Sequence, residues 1–254
     1  LLVIGGYSAY EGIHTMTTER DRYPAFRIPT VCIPASIDNN LPGSELSIGA
    51  DTALNVIVEA MDKVKESGIA SRRCFVVETM GRDCGYLALM SGIAAGAERI
   101  YTNEDGISLD DLVNDVHWLR ESFAHGRRLF LAVRNENASH NYTTDFIARL
   151  LEEESHGMYD VRQVVLGHMQ QGGSPSPFDR LLANRLAYRA LNLIDDELAA
   201  RQDGSWFIGV NESGMRPSPM ETMLSLVDAA HRRPREQWWL QLRTIARTVS
   251  DEVR

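Results

Sequence analysis

Six short apolar runs, spaced by helix-length segments, constrain this chain more than any other feature. They are Leu1–Ile4, Thr30–Pro34, Cys74–Val77, Leu129–Val133, Gln163–Leu166 and Trp206–Val210. Between them apolar residues recur at helical spacing, as in Ser47–Lys65 with Ala53, Val56, Ile57, Ala60, Met61 and Val64 on one face. Further helices are expected over Ala9–Arg20, Gly85–Ala97, Thr144–Glu154 and Phe178–Leu193. Another runs to Phe123 from Ser108, which caps it, with Asp110 and Asp111 in the first turn where the helix dipole favours them. Strands alternating with helices imply βαβ units and mostly parallel sheets covered on both faces. With no repeat, low-complexity tract or flexible linker in the chain, two three-layer α/β lobes built from interleaved segments are expected. Leu1–Ile4 reads as a fully buried parallel strand entering the Gly5-Gly6 turn. A central strand without a lead-in implies that further sequence precedes Leu1.

Composition narrows the partners. At 254 residues and 44% hydrophobic content the chain can bury a sizeable core. Its net charge of −9 is spread along the sequence. That argues against nucleic acid or an anionic membrane, since both need clustered Lys and Arg. A phosphorylated metabolite remains compatible, because a few local arginines can bind one within an acidic protein. Cys32, Cys74 and Cys84 lie in or beside apolar runs, fit reduced thiols of a cytoplasmic core, and show neither metal-ligand spacing nor a disulfide framework. No run approaches the roughly 18–20 apolar residues of a membrane span, and no signal peptide is visible.

The chemistry gathers where strands end. Val164–Leu166 gives way to Gly167-His168-Met169-Gln170-Gln171-Gly172-Gly173-Ser174-Pro175, and then a helix starts. That order sets His168 and Gln171 at the carboxyl end of a strand, where open α/β sheets bind ligands. The backbone N–H groups of the following helix suit an anion. After the second strand, Ser36-Ile37-Asp38-Asn39-Asn40 offers a carboxylate able to take a proton from a hydroxyl and a serine able to donate to a phosphate. The same residues also suit an Asx-turn that caps the next helix. In Met80-Gly81-Arg82 the glycine lets the backbone approach a ligand while the arginine projects into the crevice, or simply follows a tight turn at the surface.

Taken together, these segments resemble the 6-phosphofructokinases. Gly167–Arg180 resembles the family's GH-x-Q-x-GGSP-x-P-x-DR region, Pro34–Asn40 its P-x-[TS]-I-D-N-[DN] loop, and Met80–Arg82 its M-G-R. His231–Leu240 is similar to the H-R-x-P-x-E-Q-W-W-L of the C-terminal halves of animal enzymes. The resemblance implies an ATP- and Mg²⁺-dependent kinase of glycolysis, cytoplasmic, converting fructose 6-phosphate to fructose 1,6-bisphosphate. It gives Asp38 the role of base towards the sugar 1-hydroxyl, and Arg82 contact with the sugar phosphate and stabilisation of the charge on the transferring phosphoryl group. It further implies a sugar-phosphate pocket of Ser36, Arg73, Met80, Gly81, Arg82, Glu136, Arg162, His168, Gln171 and Arg232. Glu136 accepts from sugar hydroxyls there, and Arg73 and Arg162 reach a phosphate across a subunit boundary, so a tetramer-like homo-oligomer follows. The lobes implied are a nucleotide-type one, 1–49 with 171–225, and a sugar-phosphate-binding one, 50–170 with 226–254.

Four positions depart from the catalytic pattern. Catalytic halves read G-G-D-G-S where this chain has Gly5-Gly6-Tyr7-Ser8-Ala9, close to the G-G-F-E-A-Y of effector-binding halves. A tyrosine cannot offer Mg²⁺ a hard carboxylate oxygen, and a side chain at residue 8 crowds a phosphate. Asn40 and Gln171 stand where catalytic halves carry Asp and Arg. No resident metal or confidently bound cofactor is therefore assigned to this half, and Gly5 and Gly6 remain a degenerate nucleotide turn. The favoured reading is the half that binds fructose 2,6-bisphosphate or a related sugar phosphate, catalysis lying in sequence outside this chain. A competent domain using Asp38 and Arg82 on fructose 6-phosphate, and a half that supplies only subunit interface, stay open. A pyrophosphate-dependent enzyme is disfavoured, since neither G-G-D-D nor a lysine near Pro34–Asp38 is present.

Overall fold

The computed structural model describes residues 1–68 and 70–246. In chain order its elements begin with β1 (Leu2–Gly5), α1 (Tyr7–Thr18), β2 (Thr30–Pro34) and α2 (Ala50–Gly68). They continue with β3 (Arg73–Thr79), α3 (Tyr86–Ala95), β4 (Arg99–Tyr101), α4 (Leu109–Ala124), β5 (Leu129–Asn135) and α5 (Thr144–Glu154). Then come β6 (Asp160–Val165), α6 (Pro177–Ala199), β7 (Ser205–Asn211), β8 (Gly214–Pro219) and the short α7 (Met223–Leu226). The two-residue strands β9 (Val227–Asp228) and β10 (Arg233–Pro234) close the set.

The chain divides into two compact units. The first comprises Leu1–Thr52 and Ser174–Trp238; the second comprises Ala53–Gly173 and the described residues from Trp239 onward. These units differ from the lobes implied by the resemblance at three places: 50–52 and 226–238 group with the first unit, and 171–173 with the second.

The first unit is built on a sheet of order β1-β2-β7-β8, parallel except for β8. Alternation along β2 explains its three layers. Val31 and Ile33, with Ile208, pack beneath Leu182, Leu186, Ala190 and Leu193 of α6. Cys32, facing the other way with Phe207, packs on Tyr7, Tyr10 and Ile13 of α1. Among the described residues β1 pairs with β2 alone, and Leu2 and Ile4, expected buried, are 36% and 63% exposed. Its Val3 face is packed against the α1 side, whereas α6 runs over β2 and β7 and leaves the Leu2/Ile4 face open. Trp206–Val210 is not the last strand, because β8 returns antiparallel beside it. Pro217 and Pro219 in β8 cannot donate to a ladder, which confines such a strand to an edge and hides it from periodicity.

The second unit carries the all-parallel sheet β4-β5-β3-β6. Cys74, Val76, Phe130 and Ala132 on one face pack on Leu112, Val116, Leu119 and Phe123 of α4 and on Ile147 and Leu151 of α5. The mostly apolar α3 packs against β3, β4 and β5. Gly92 on α3 lies so close to Ile100 that a Cβ would overlap its side chain. Ser108 caps α4 in a reciprocal capping box with Asp111, as its position predicts.

Candidate functional site

In both units polar residues collect at the carboxyl ends of parallel strands. In the first, the turn after β1 and the loop after β2 are neighbours, since Gly5 pairs with Pro34. Gly6 lies against the Ala35 carbonyl and Ser36. The loop is organised by Asn39, which adopts φ 54°. Its Oδ1 accepts from the Ser47 backbone N–H (2.7 Å) and its Nδ2 donates to the Glu45 carbonyl (2.7 Å). Ser36 donates to Asn40 Oδ1 (3.2 Å), and Asn40 Nδ2 donates to the Arg232 carbonyl (3.0 Å). Asp38 sits half-buried between them. The half-exposed Arg232 guanidinium lies over the Tyr7 ring, 5.7 Å from the centroid, and pairs with Glu11 at 3.7 Å.

Tyr7 decides what this end of the sheet can hold. Its ring is only 7% exposed and belongs to the core under α1. Burial, with Glu11 adding to it, raises the phenol's pKa above its ordinary value, so the oxygen stays protonated. The nearest carboxylate on α1, Glu11, is engaged by Arg232. Tyr7 itself offers a Mg²⁺–nucleotide no anionic oxygen and does not fit one; the carboxylates around it are Glu11, paired with Arg232, and half-buried Asp38 in the loop after β2.

In the second unit, β3, β5 and β6 end side by side. Glu136, just beyond β5, turns one carboxylate oxygen onto the backbone of the β3 loop. Oε1 accepts from the N–H of Gly81 (3.1 Å) and of Arg82 (2.7 Å). Successive N–H groups aimed at one oxygen form an anion-binding nest, filled here by the chain's own carboxylate. Gly81 at φ 133° and Arg82 at φ 49° make that turn, and a Cβ on Gly81 would overlap the Cys84 carbonyl. Gln170 accepts from the Met80 N–H (3.3 Å), and Asn137 Nδ2 donates to Asp83 (3.0 Å). Buried Asn135 reaches the Met80 and Cys84 carbonyls at 3.5 and 3.3 Å. Below this loop Arg134, almost wholly buried, pairs with Glu78 (2.9 Å) and donates to the carbonyls of Glu136, Ser139 and Tyr142. Desolvation lowers the Arg134 pKa, and Glu78 opposes that shift.

The expected residues thus fall into separate groups. Met80, Gly81, Arg82 and Glu136 come together, with Arg82 exposed. His168 and Gln171 meet in the 3₁₀ turn Gly167–Gln171 after β6, where His168 Nδ1 lies 3.2 Å from Gln171 Oε1, both side chains exposed. Arg73 opens β3 and Arg162 lies opposite Phe75, near the amino ends of the strands. A seven-residue strand is roughly 20 Å long, so these arginines stand apart from the Met80–Glu136 cluster. Arg162 donates to its neighbour's carbonyl, from Val161, and pairs loosely with Asp160 at 3.7 Å.

Three points go beyond the sequence or against it. Glu136, matched to sugar hydroxyls, uses one oxygen, Oε1, to hold the Arg82 turn. Gln170, Asn135 and Asn39 organise the loops although no motif reading singled them out; the signal available was a polar residue directly beside each motif. The helix start expected to cradle an anion is also already satisfied. Ser176 caps α6 through the Asp179 N–H (3.1 Å). The Asp179 carboxylate in turn accepts from the N–H groups of Gly49 and Thr52 at the start of α2 (2.9 and 2.8 Å).

The fold and these clusters define an α/β protein of parallel sheets whose polar loops, at the strand ends, follow one family's pattern. The chain belongs to the phosphofructokinase family, whose sequence model matches residues 1–194. It is 43% identical to the human ATP-dependent 6-phosphofructokinase of platelet type over 98% of this chain and 33% of that protein. To the human muscle-type enzyme it is 41% identical over 98% of the chain and 34% of that protein. Phosphofructokinase from Saccharomyces cerevisiae superposes with a TM-score of 0.94 at 34% identity, covering all of this chain and 35% of that one. The chain therefore spans about a third of the length of the relatives it matches. No described helix is long and apolar enough to cross a membrane.

Proposed function

We propose that this chain is the part of a cytoplasmic, oligomeric 6-phosphofructokinase that binds a sugar phosphate of the fructose 2,6-bisphosphate type as an effector, catalysis lying elsewhere in the enzyme. The single observation that carries this reading is Tyr7. A buried, neutral phenol under the Arg232 guanidinium stands where catalytic members have the carboxylate that serves Mg²⁺. ATP and Mg²⁺ belong to the whole enzyme and not to this turn.

The exposed groups of the second unit supply the binding chemistry. Arg82 offers a planar fork for phosphate oxygens, and His168 with Gln171 adds donors without a second fixed positive charge at that place. Arg73 and Arg162, at the other end of the strands, suit a phosphate held at a neighbouring subunit's pocket. The retained Asp38 and Arg82 support a second reading, a domain that itself phosphorylates fructose 6-phosphate.

Calorimetric titration of the chain with fructose 2,6-bisphosphate separates the two. Saturable binding is expected, weakened about ten-fold or more by His168→Ala and by Arg162→Ala, as loss of a charge-assisted contact predicts. Absence of saturable binding overturns the proposal. So does Mg²⁺–ATP-dependent phosphorylation of fructose 6-phosphate that disappears in Asp38→Ala.

A further inference from the structure

The outer face of α6 carries a pattern that the first unit does not use. Leu182, Leu186, Ala190 and Leu193 are its core-facing residues. On the opposite side Leu181, Tyr188, Leu191 and Leu198 are 63%, 71%, 54% and 58% exposed. With the exposed Asn184 and Asp195 they fall at alternating intervals of three and four residues along the helix. That is the a/d spacing of a helix–helix seam, on a surface where a globular protein ordinarily places charge. Contiguous exposed apolar surface of this kind marks an interaction site.

We infer that this face is a self-association surface, on which α6 of a second copy of the chain packs antiparallel about a two-fold axis. One register satisfies every seam position at once. Leu181 meets Leu198 of the second copy, Tyr188 meets its Leu191, and Asn184 meets its Asp195, each pair occurring twice by symmetry. The only polar seam residues therefore pair with each other, amide donor to carboxylate acceptor. A polar pair at one layer is what fixes register in such seams. Charge agrees with the same arrangement. Arg185, exposed next to Asn184, comes beside Asp195 of the second copy, whereas a parallel pairing sets Asp195 against Asp195 and Arg185 against Arg185. None of the residues matched to the sugar-phosphate pocket lies on this face, so the surface is independent of the function proposed above.

A single helix pair of about six turns lies at the low end of the ~1,200–2,000 Å² of stable interfaces, so association in the micromolar range follows. Sedimentation velocity of the full chain under reducing conditions, from about 1 to about 100 µM, should show a monomer–dimer equilibrium. Leu191→Asp should weaken it about ten-fold or more. Arg185→Asp and Asp195→Arg should each weaken it several-fold, and the double charge reversal should restore it to within about three-fold. Because all three positions are exposed, circular dichroism melting should be unchanged in every variant, separating lost association from lost folding. The inference is overturned by a monomer at every concentration, as when another polypeptide covers α6. It is equally overturned by a dimer that survives Leu191→Asp, or by a double reversal no better than either single change.

Discussion

The two units solve the same local problem in opposite ways. Each brings a polar loop to the carboxyl end of a parallel strand, the place where α/β sheets expose ligand-binding groups. After β2 in the first unit, the loop closes on its own protein: Asn39 ties it to Glu45 and Ser47, Asn40 holds the Arg232 carbonyl, and Arg232 lies on Tyr7. After β3 in the second unit, the tying is done from beneath by Glu136, Gln170 and Asn135, and Arg82 is left outward. Topology provides the place; which side chains are consumed in building the loop decides whether anything remains to bind with.

The largest test of that contrast falls on Arg134. Inside the second unit, Arg134→Met leaves three loop carbonyls without their donor and Glu78 without its cation, with only the Thr144 hydroxyl still donating to it. Breaking a buried pair on one side costs about 3–5 kcal/mol. Thiol labelling during urea titration can read this unit by unit. Burial raises the Cys32 thiol pKa to about 12 and pushes Cys74 well up, so neither forms thiolate until its surroundings open. Cys74 should become reactive at markedly lower urea in the variant while Cys32 keeps its midpoint. If both move together, the units do not unfold separately and the comparison fails.

A smaller effect is expected at Asn39. Asn39→Ala removes both tethers and puts a less tolerant residue at φ 54°, for a loss of about 2 kcal/mol. Here it is Cys32 that should label earlier, the mirror image of the Arg134 result.

The smallest effect is also the most specific. In Glu136→Ala the Arg82 turn loses its acceptor, and binding of fructose 2,6-bisphosphate should fall about ten-fold, or about 1.4 kcal/mol by calorimetry. Glu136→Gln should stay within about three-fold, because its amide oxygen can still accept from the Gly81 and Arg82 N–H groups. A glutamine variant as weak as the alanine one shows that the carboxylate acts on the sugar, and not on the turn.

The fold was legible in the sequence where a segment declares itself locally. β2 and α5 occupy the expected residues, and Ser108 caps α4, because apolar periodicity and capping chemistry are short-range signals. β8 escaped because its prolines and polar residues carry no period. β4 escaped because three residues are too few to show one. The motif segments fall on loops at strand ends, but they do not carry the contacts that build those loops. Glu136 reads as an acceptor for sugar hydroxyls, and only folding shows that its Oε1 also takes two backbone N–H groups. Asn39 reads as a neighbour of Asp38, yet its left-handed backbone makes it the loop's keystone.

Asp179 has a consequence that reaches past stability. Its carboxylate sits on the N–H groups that open α2, while Ser176 closes the start of α6. Both helix ends therefore present an anion with filled valences and, at α2, with a negative charge. A phosphate near these two helix starts gains little from their dipoles, so the phosphate binding proposed above would rest on solvent-facing cationic side chains such as Arg82. Such attraction is screened within about 8–10 Å at physiological ionic strength. Recognition of this kind is tuned by the salt around the protein as much as by the concentration of the ligand.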